Sequence, residues 1–154
     1  MELFTIVCEN QAVSAIQDLL AAYAASTKKL QLLAVEVAAN GQATVGNYPL
    51  RIRYLPATVT VGSGGSAVTA HNINPDGASP SFTAARNNVT QAVTGGTAVD
   101  IVATQFNPIN GYYWAAPTQV GDEPKADLSG AFTLSLDGIA GTLNVSATMW
   151  IREI

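Results

Sequence analysis

The stretch Leu128–Ile154, LSGAFTLSLDGIAGTLNVSATMWIREI, decides the fold class of this 154-residue chain. In both of its halves apolar residues alternate with small polar ones, which is typical of strands with one face in a core. Asp137-Gly138 is a turn signal, so the stretch predicts a β-hairpin of Leu128–Leu136 with Thr142–Ile154. Five side chains of these strands and of a strand further upstream are predicted to be buried: Ile101, Leu134, Leu143, Val145 and Met149.

Five other segments have strand character, because they alternate in polarity or are rich in β-branched and aromatic residues. They are Glu2–Glu9, Leu30–Ala39, Tyr48–Leu55, Ala98–Phe106 and Tyr112–Ala116. Gly, Pro and Asn mark the turns between them. Several short strands with such turns predict an all-β fold, an antiparallel β-sandwich, in a single domain that spans residues 1–154.

Residues 11–24 allow two interpretations. Val13, Ile16 and Leu20 fall at helical spacing, and the alanines favour a helix from Gln11 to about Ala22. Alternate residues of the same segment also fit one face of a strand. The pattern alone favours the helix.

A long, almost uncharged segment separates two of the predicted strands: TVGSGGSAVTAHNINPDGASPSFTAARNNVTQAVTGGT, Thr60–Thr97. Loops of this length are uncommon inside a compact domain and are usually functional or disordered. The segment has little apolar bulk of its own, so we predict an ordered loop at about 57–97, on the sandwich surface and held partly by neighbouring chains. Ten of its residues are predicted to form this interface: Ser63, Ser66, Thr69, His71, Asn72, Asn74, Phe82, Arg86, Asn87 and Asn88.

The composition limits the class of function. Charged residues make up 12% of the chain and the net charge is −4, whereas a typical domain has about 25% charged residues. The shortfall indicates that partners cover part of the surface. No apolar run reaches the ~20 residues of a membrane-spanning helix, and no basic footprint for nucleic acid is present. The first residues lack the basic region of a signal peptide, so we expect synthesis in a cytosol and no membrane anchor.

The residue types that carry chemistry are sparse. His71 is the only histidine, and no GxSxG motif accompanies it. Cys8 is the only cysteine, which excludes a disulfide framework and predicts a small buried side chain. The stretch Gly62–Ser66 lacks the Lys of a phosphate-binding loop. We therefore predict no catalytic, metal-binding or cofactor-binding residues, and no enzymatic activity.

Several segments together resemble a known family. They are ENQAVSAIQDLL, LRIRYL, GSGGSAVTAHNINP, ARNNVTQAVTGGT, FNPINGYYWAAPTQ and the C-terminal LSLDGIAGTLNVSATMWIREI. The chain resembles small tailed-phage virion proteins that act as capsid decoration (cement) proteins or as similar head proteins. The segments cover most of the chain, and the GSGGS...NP and NNxTxxxxGGT patterns are the most specific.

The resemblance implies a jelly-roll type of β-sandwich, a homotrimer, and attachment to the outside of a shell of major capsid protein. It implies a protein that is made in the host bacterial cytoplasm and located on the capsid exterior. From the composition we expect neither nucleic acid nor a membrane as partner. It also favours a short helical turn near Gln11–Gln17 followed by a strand from Asp18 to Ala24, which is the interpretation we adopt.

A second function stays open at this point, because a jelly roll hosts many functions. The chain would then be a carbohydrate- or receptor-binding module on a virion. Exposed aromatic rings commonly stack on sugars, and the candidates for a sugar site are Tyr112, Tyr113 and Trp114.

Overall fold

The structure is a computed structural model that describes residues 2–39, 46–56, 58–117, 123–137 and 143–154. Within these ranges the chain forms fourteen β-strands and no helix. The strands are β1 (Glu2–Val13), β2 (Gln17–Tyr23), β3 (Leu30–Ala39), β4 (Tyr48–Leu55), β5 (Val59–Thr60), β6 (Ser66–Val68), β7 (His71–Asn72), β8 (Thr83–Asn88), β9 (Val93–Thr94), β10 (Val99–Phe106), β11 (Tyr112–Ala115), β12 (Lys125–Ala126), β13 (Ala131–Leu136) and β14 (Leu143–Glu153).

Two six-stranded antiparallel sheets form the body of the protein. Sheet A has the order β11-β3-β14-β1-β7, with β12 also paired to β3, and sheet B has the order β10-β4-β13-β2-β8-β6. The short strands β5 and β9 pair with each other. Eight strands alternate between the sheets along the chain, except that β4 and β10 both lie in sheet B; they are β1, β2, β3, β4, β10, β11, β13 and β14. This order is that of a jelly roll, so the predicted all-β, antiparallel, jelly-roll-like sandwich is confirmed.

One core cluster joins the inner faces of the two sheets. The alternation in β14 puts every second side chain into it, and Leu143, Val145 and Met149 are buried as predicted, as is Leu134 of β13. The prediction for Ile101 was wrong, since this side chain is only half-buried. It lies on the edge strand β10 at a register shift between Asp100 and Val102, where the regular alternation of faces is interrupted.

The predicted hairpin of the last two strands is also wrong. β13 pairs with β2 and β4 in sheet B, whereas β14 pairs with β1 and β3 in sheet A. Alternation shows which face of a strand is buried, but not which strand it pairs with. β13 is buried on both faces, since Thr133 and Ser135 are as inaccessible as Leu134. The turn predicted at Asp137-Gly138 falls partly outside the described residues.

No helix or helical turn forms near Gln11–Gln17. Strand β1 continues to Val13, and its residues 11–13 pair with β14. Strand β2 then begins at Gln17, close to the predicted start at Asp18. All seven residues of β2 are buried, so the strand lacks the alternation of polar and apolar residues that marks a half-exposed strand. Its alanines, which favour helices, therefore made the sequence pattern resemble that of a helix. Pairing with neighbouring strands here outweighs helix propensity.

Candidate docking surface

The predicted loop between β4 and β10 is an insertion, residues 58–97, that contains five short strands. Strand β8 adds to sheet B beside β2, and β6 adds beside β8. Strand β7 adds to sheet A beside β1. The insertion therefore extends both sheets at the same side of the sandwich. This explains how a segment with little apolar bulk is ordered, because its backbone groups pair with the edges of its own sheets.

Two side chains anchor this part of the insertion to sheet A. Phe82 is 5% exposed and meets Phe4 of β1 edge to face, with ring centroids 5.4 Å apart. Asn72 Nδ2 donates hydrogen bonds to Glu2 Oε2 at 2.8 Å and to the carbonyl of Ala78 at 2.9 Å. These contacts hold the segment 71–82 against β1.

The glycine-rich stretch Gly62–Ser66 lies against β8 and the residues after it. A Cβ at Gly65 would lie 2.0 Å from the carbonyl oxygen of Arg86, and one at Gly62 would lie 2.6 Å from that of Thr90. These glycines are required because the backbone of the stretch approaches that of β8 more closely than a side chain permits. A cavity of about 280 Å³ lies between this stretch and Tyr23 of β2, and its lining carries no charged side chain.

The ends of the insertion form a small antiparallel ladder, which we call the outer ladder: residues 58–63 with residues 90–94. Strands β5 and β9 pair within it, and Ser63 and Thr90 exchange backbone hydrogen bonds of 3.0 Å. Ala92 is buried in a second apolar cluster with Leu55, Ala21 and Tyr23 of sheet B. The outer ladder therefore covers the outer face of sheet B, on the side away from the core.

The outward side of the insertion carries exposed valines and almost no charge. Val61 and Val93 on the outer ladder are 57% exposed, and Val89 beside it is 55% exposed. Val89 Cγ2 lies over Gly64, where an added Cβ would approach it to 2.3 Å. Between residues 58 and 97 the only charged side chains are Asp76 and Arg86. A surface of this kind loses little hydration free energy when a partner covers it.

The structure distributes the ten predicted interface residues over three environments. Ser63, Ser66, Thr69, His71 and Asn74 are exposed, and Asn72, Arg86 and Asn87 are half-buried. Arg86 Nε donates to Ser66 Oγ at 3.2 Å, and Gln17 Nε2 donates to Asn87 Oδ1. Phe82 and Asn88 are buried and make their contacts inside the chain.

Sequence reasoning missed the exposed valines of the outer ladder. The available signal was an isolated valine among glycine and threonine, as at Val61 and Val93. Such a residue has no neighbour in the sequence with which to form a core, so it either packs on a distant strand or faces outward.

The aromatic residues of the alternative sugar site lie on β11, at one end of sheet A. Tyr112 and Trp114 are half-buried and pack against the core, while Tyr113 is 64% exposed on the other face. Successive residues of a strand point to opposite faces. Only the Tyr113 ring is therefore presented outward as a platform for stacking.

The described residues contain no group of three His, Cys, Asp or Glu side chains that would hold a metal ion. No helix long and apolar enough to cross a membrane occurs in the described ranges. Cys8 is fully buried, as predicted. The fold and this surface define a jelly-roll-like β-sandwich with a strand-forming insertion between β4 and β10. Comparisons of the chain with protein-family models, curated proteins and solved structures find no match.

Proposed function

We propose that the chain is a structural protein of a tailed-phage virion, a decoration or cement protein that binds the outer surface of the capsid shell and stabilises it. The observation that carries the proposal is the outward side of the insertion, with three half-exposed valines and almost no charge. The two most specific segments of the family resemblance, residues 62–75 and 85–97, both lie in this insertion. The surface and the resemblance thus point to the same part of the chain.

The proposed partners are the major capsid protein and further copies of this chain in a homotrimer, with neither nucleic acid nor membrane. A capsid repeats the same junction many times, so a modest affinity at each junction still leads to high occupancy. Closed assemblies with point-group symmetry bury the same surface in every copy. Light scattering of the purified chain at micromolar concentration tests the trimer, and a monomeric mass would contradict a stable one.

The function is tested by co-sedimentation with shells that are assembled from the major capsid protein of the same genome and lack this chain. The wild-type chain is expected to sediment with these shells. Val61→Asp and Val93→Asp place a charge on the outer ladder and are expected to weaken binding by roughly tenfold or more. Val99→Asp is the matched control, because Val99 is 51% exposed on β10, outside the insertion.

Two outcomes would contradict the proposal. In the first, the wild-type chain fails to sediment with the shells; in the second, Val61→Asp and Val93→Asp bind as tightly as the wild type. Circular dichroism of each variant shows whether a loss of binding reflects the docking surface or a loss of the fold.

A further inference from the structure

The carboxylate of Asp18 is completely buried beneath the outer ladder. Asp18 belongs to β2 and is 0% exposed. Its Oδ2 accepts a hydrogen bond of 2.8 Å from the backbone N–H of Ala92, and its Oδ1 accepts one of 3.2 Å from Gln91 Nε2. Both donors belong to residues 90–94 of the outer ladder. The ladder thus both covers this carboxylate and supplies its hydrogen bonds.

The charge of Asp18 is poorly compensated by the strands around it. Arg53 of β4 forms an ion pair with Asp18, but its Nη2 lies 3.8 Å from Asp18 Oδ1, which is too long for a hydrogen bond. The Nε and Nη2 atoms of Arg53 are buried and form no hydrogen bond with a described residue. Asp137, at the end of β13, adds a repulsive negative charge, although its Oδ2 pairs with Arg51 Nε at 3.3 Å.

The remaining neighbours of Asp18 add no positive charge. Strand β8 places the uncharged Asn88 opposite it, and β13 places Ser135 beside it. Tyr23 of the same strand faces it with a neutral hydroxyl, whose pKa is raised by burial. An ionised carboxylate at this position therefore pays a desolvation cost that its partners only partly offset.

We propose that the outer ladder is a pH-sensitive strap, which lies firmly on sheet B while Asp18 is neutral and opens more readily once Asp18 is ionised. Opening replaces the buried environment of the carboxylate with water, which favours the charged form. Burial raises the pKa of Asp18 from 3.8 to about 6, although the bonds from Ala92 and the charge of Arg53 act in the other direction. The closed strap therefore binds a proton more tightly than the open strap, and opening becomes easier as the pH rises through this range.

The size of the effect follows from the same values. If the exposed carboxyl of the open strap titrates near 3.8, the opening equilibrium changes by roughly 100-fold between about pH 4 and about pH 8. The hydrogen bonds from Gln91 and Ala92 are stronger to the charged form, so they oppose the opening that ionisation of Asp18 favours.

The test is amide hydrogen exchange of the isolated full chain, followed by NMR from about pH 4.5 to about pH 8 and corrected for intrinsic exchange. Protection of the amides of Ser63, Thr90 and Ala92 is expected to fall as the pH rises. Amides of β13 serve as an internal reference, because they exchange only through larger openings. Asp18→Asn removes the charge and is expected to abolish this pH dependence, while Asp76→Asn, on the exposed part of the same insertion, is the matched control.

Three results would overturn the proposal that the outer ladder is a pH-sensitive strap. Protection of the outer ladder would be independent of pH in the wild type, or it would change in parallel with protection of β13, or Asp18→Asn would keep the wild-type pH dependence. The first two readouts use the wild type alone and hold even if the Asp18→Asn variant does not fold. The strap carries Val61 and Val93 of the proposed docking surface, but the measurement needs no shell, so the two proposals fail independently.

Discussion

Glu153 Oε1 accepts two hydrogen bonds from Ser81. The backbone N–H donates one at 2.7 Å, and the Oγ hydroxyl donates the other at 2.6 Å. The other oxygen, Oε2, lies 2.8 Å from Lys28 Nζ. Glu153 is the last residue of β14, and its side chain is 1% exposed. One buried carboxylate thus ties the insertion to the central strand of sheet A and to the connection between β2 and β3.

Glu153→Gln is expected to lower the free energy of unfolding by about 1–3 kcal/mol, since hydrogen bonds to a charged group become bonds to a neutral amide. Chemical denaturation measures the change. Glu36→Gln, on an exposed position of β3, is the control and should stay within about 0.5 kcal/mol of the wild type. Equal stability of both variants would show that the Glu153 contacts add nothing.

The same carboxylate makes the free energy of unfolding fall at acid pH. Burial alone would raise the pKa of Glu153, but the hydrogen bonds from Lys28 and Ser81 outweigh it and hold the pKa below 4.5. A lowered folded-state pKa means that the contribution is complete above about pH 4.5 and is lost as the pH falls through the folded value. Denaturation midpoints over this acid range should therefore fall more steeply for the wild type than for Glu153→Gln.

Leu134→Ala should destabilise the protein by about 2–5 kcal/mol, because Leu134 is fully buried between the two sheets. Leu128→Ala removes the same atoms from a side chain that is 43% exposed and provides the matched comparison. The cost at position 128 is expected to be below about 1 kcal/mol. Similar losses for the two variants would argue against this placement of β13.

Gly65→Ala is expected to cost about 1–3 kcal/mol, because the new Cβ would collide with the carbonyl of Arg86 and push β6 away from β8. Gly95→Ala is the control, since its Cβ would meet Thr58 Cβ at an ordinary 3.6 Å. Thermal unfolding compares the two, and hydrogen exchange in β8 locates the damage. A neutral Gly65→Ala would mean that the glycine-rich stretch does not lie this close to β8.

Cys8 should be inert towards thiol reagents in the folded protein. It is fully buried, and burial raises its pKa to about 11, so the thiolate that reacts is both scarce and covered. Labelling at mildly alkaline pH is expected to be slow in buffer and complete in denaturant. Rapid labelling of the native chain would show that β1 opens easily.

The sequence predicted single strands well and their partners poorly. The bounds of β3 and β4 match the predicted segments Leu30–Ala39 and Tyr48–Leu55, because polarity and prolines mark them locally. Strand β2 was ambiguous because both its faces are buried, and the pairing of β13 depends on strands distant in sequence.

The candidate docking surface was also predicted only as far as local sequence allows. The insertion was recognisable from its length and low charge, yet its strands and its fit to both sheet edges depend on partners elsewhere in the chain. The position of Asp18 under Ala92 also required the fold, since the two residues are far apart in sequence and nothing near Asp18 indicates a covered carboxylate. The same holds for the exposure of Val61 and Val93 on the outer ladder.

The place of β14 has a consequence for the order in which the protein matures. β14 lies between β1 and β3, and it is synthesised after every other described strand. Sheet A therefore lacks its central member until residues 143–153 have left the ribosome, while every described strand of sheet B has already been made. Contacts between such distant segments also form slowly. During translation the edge of β1 that pairs with β14 therefore stays without this partner until residues 143–153 have been made.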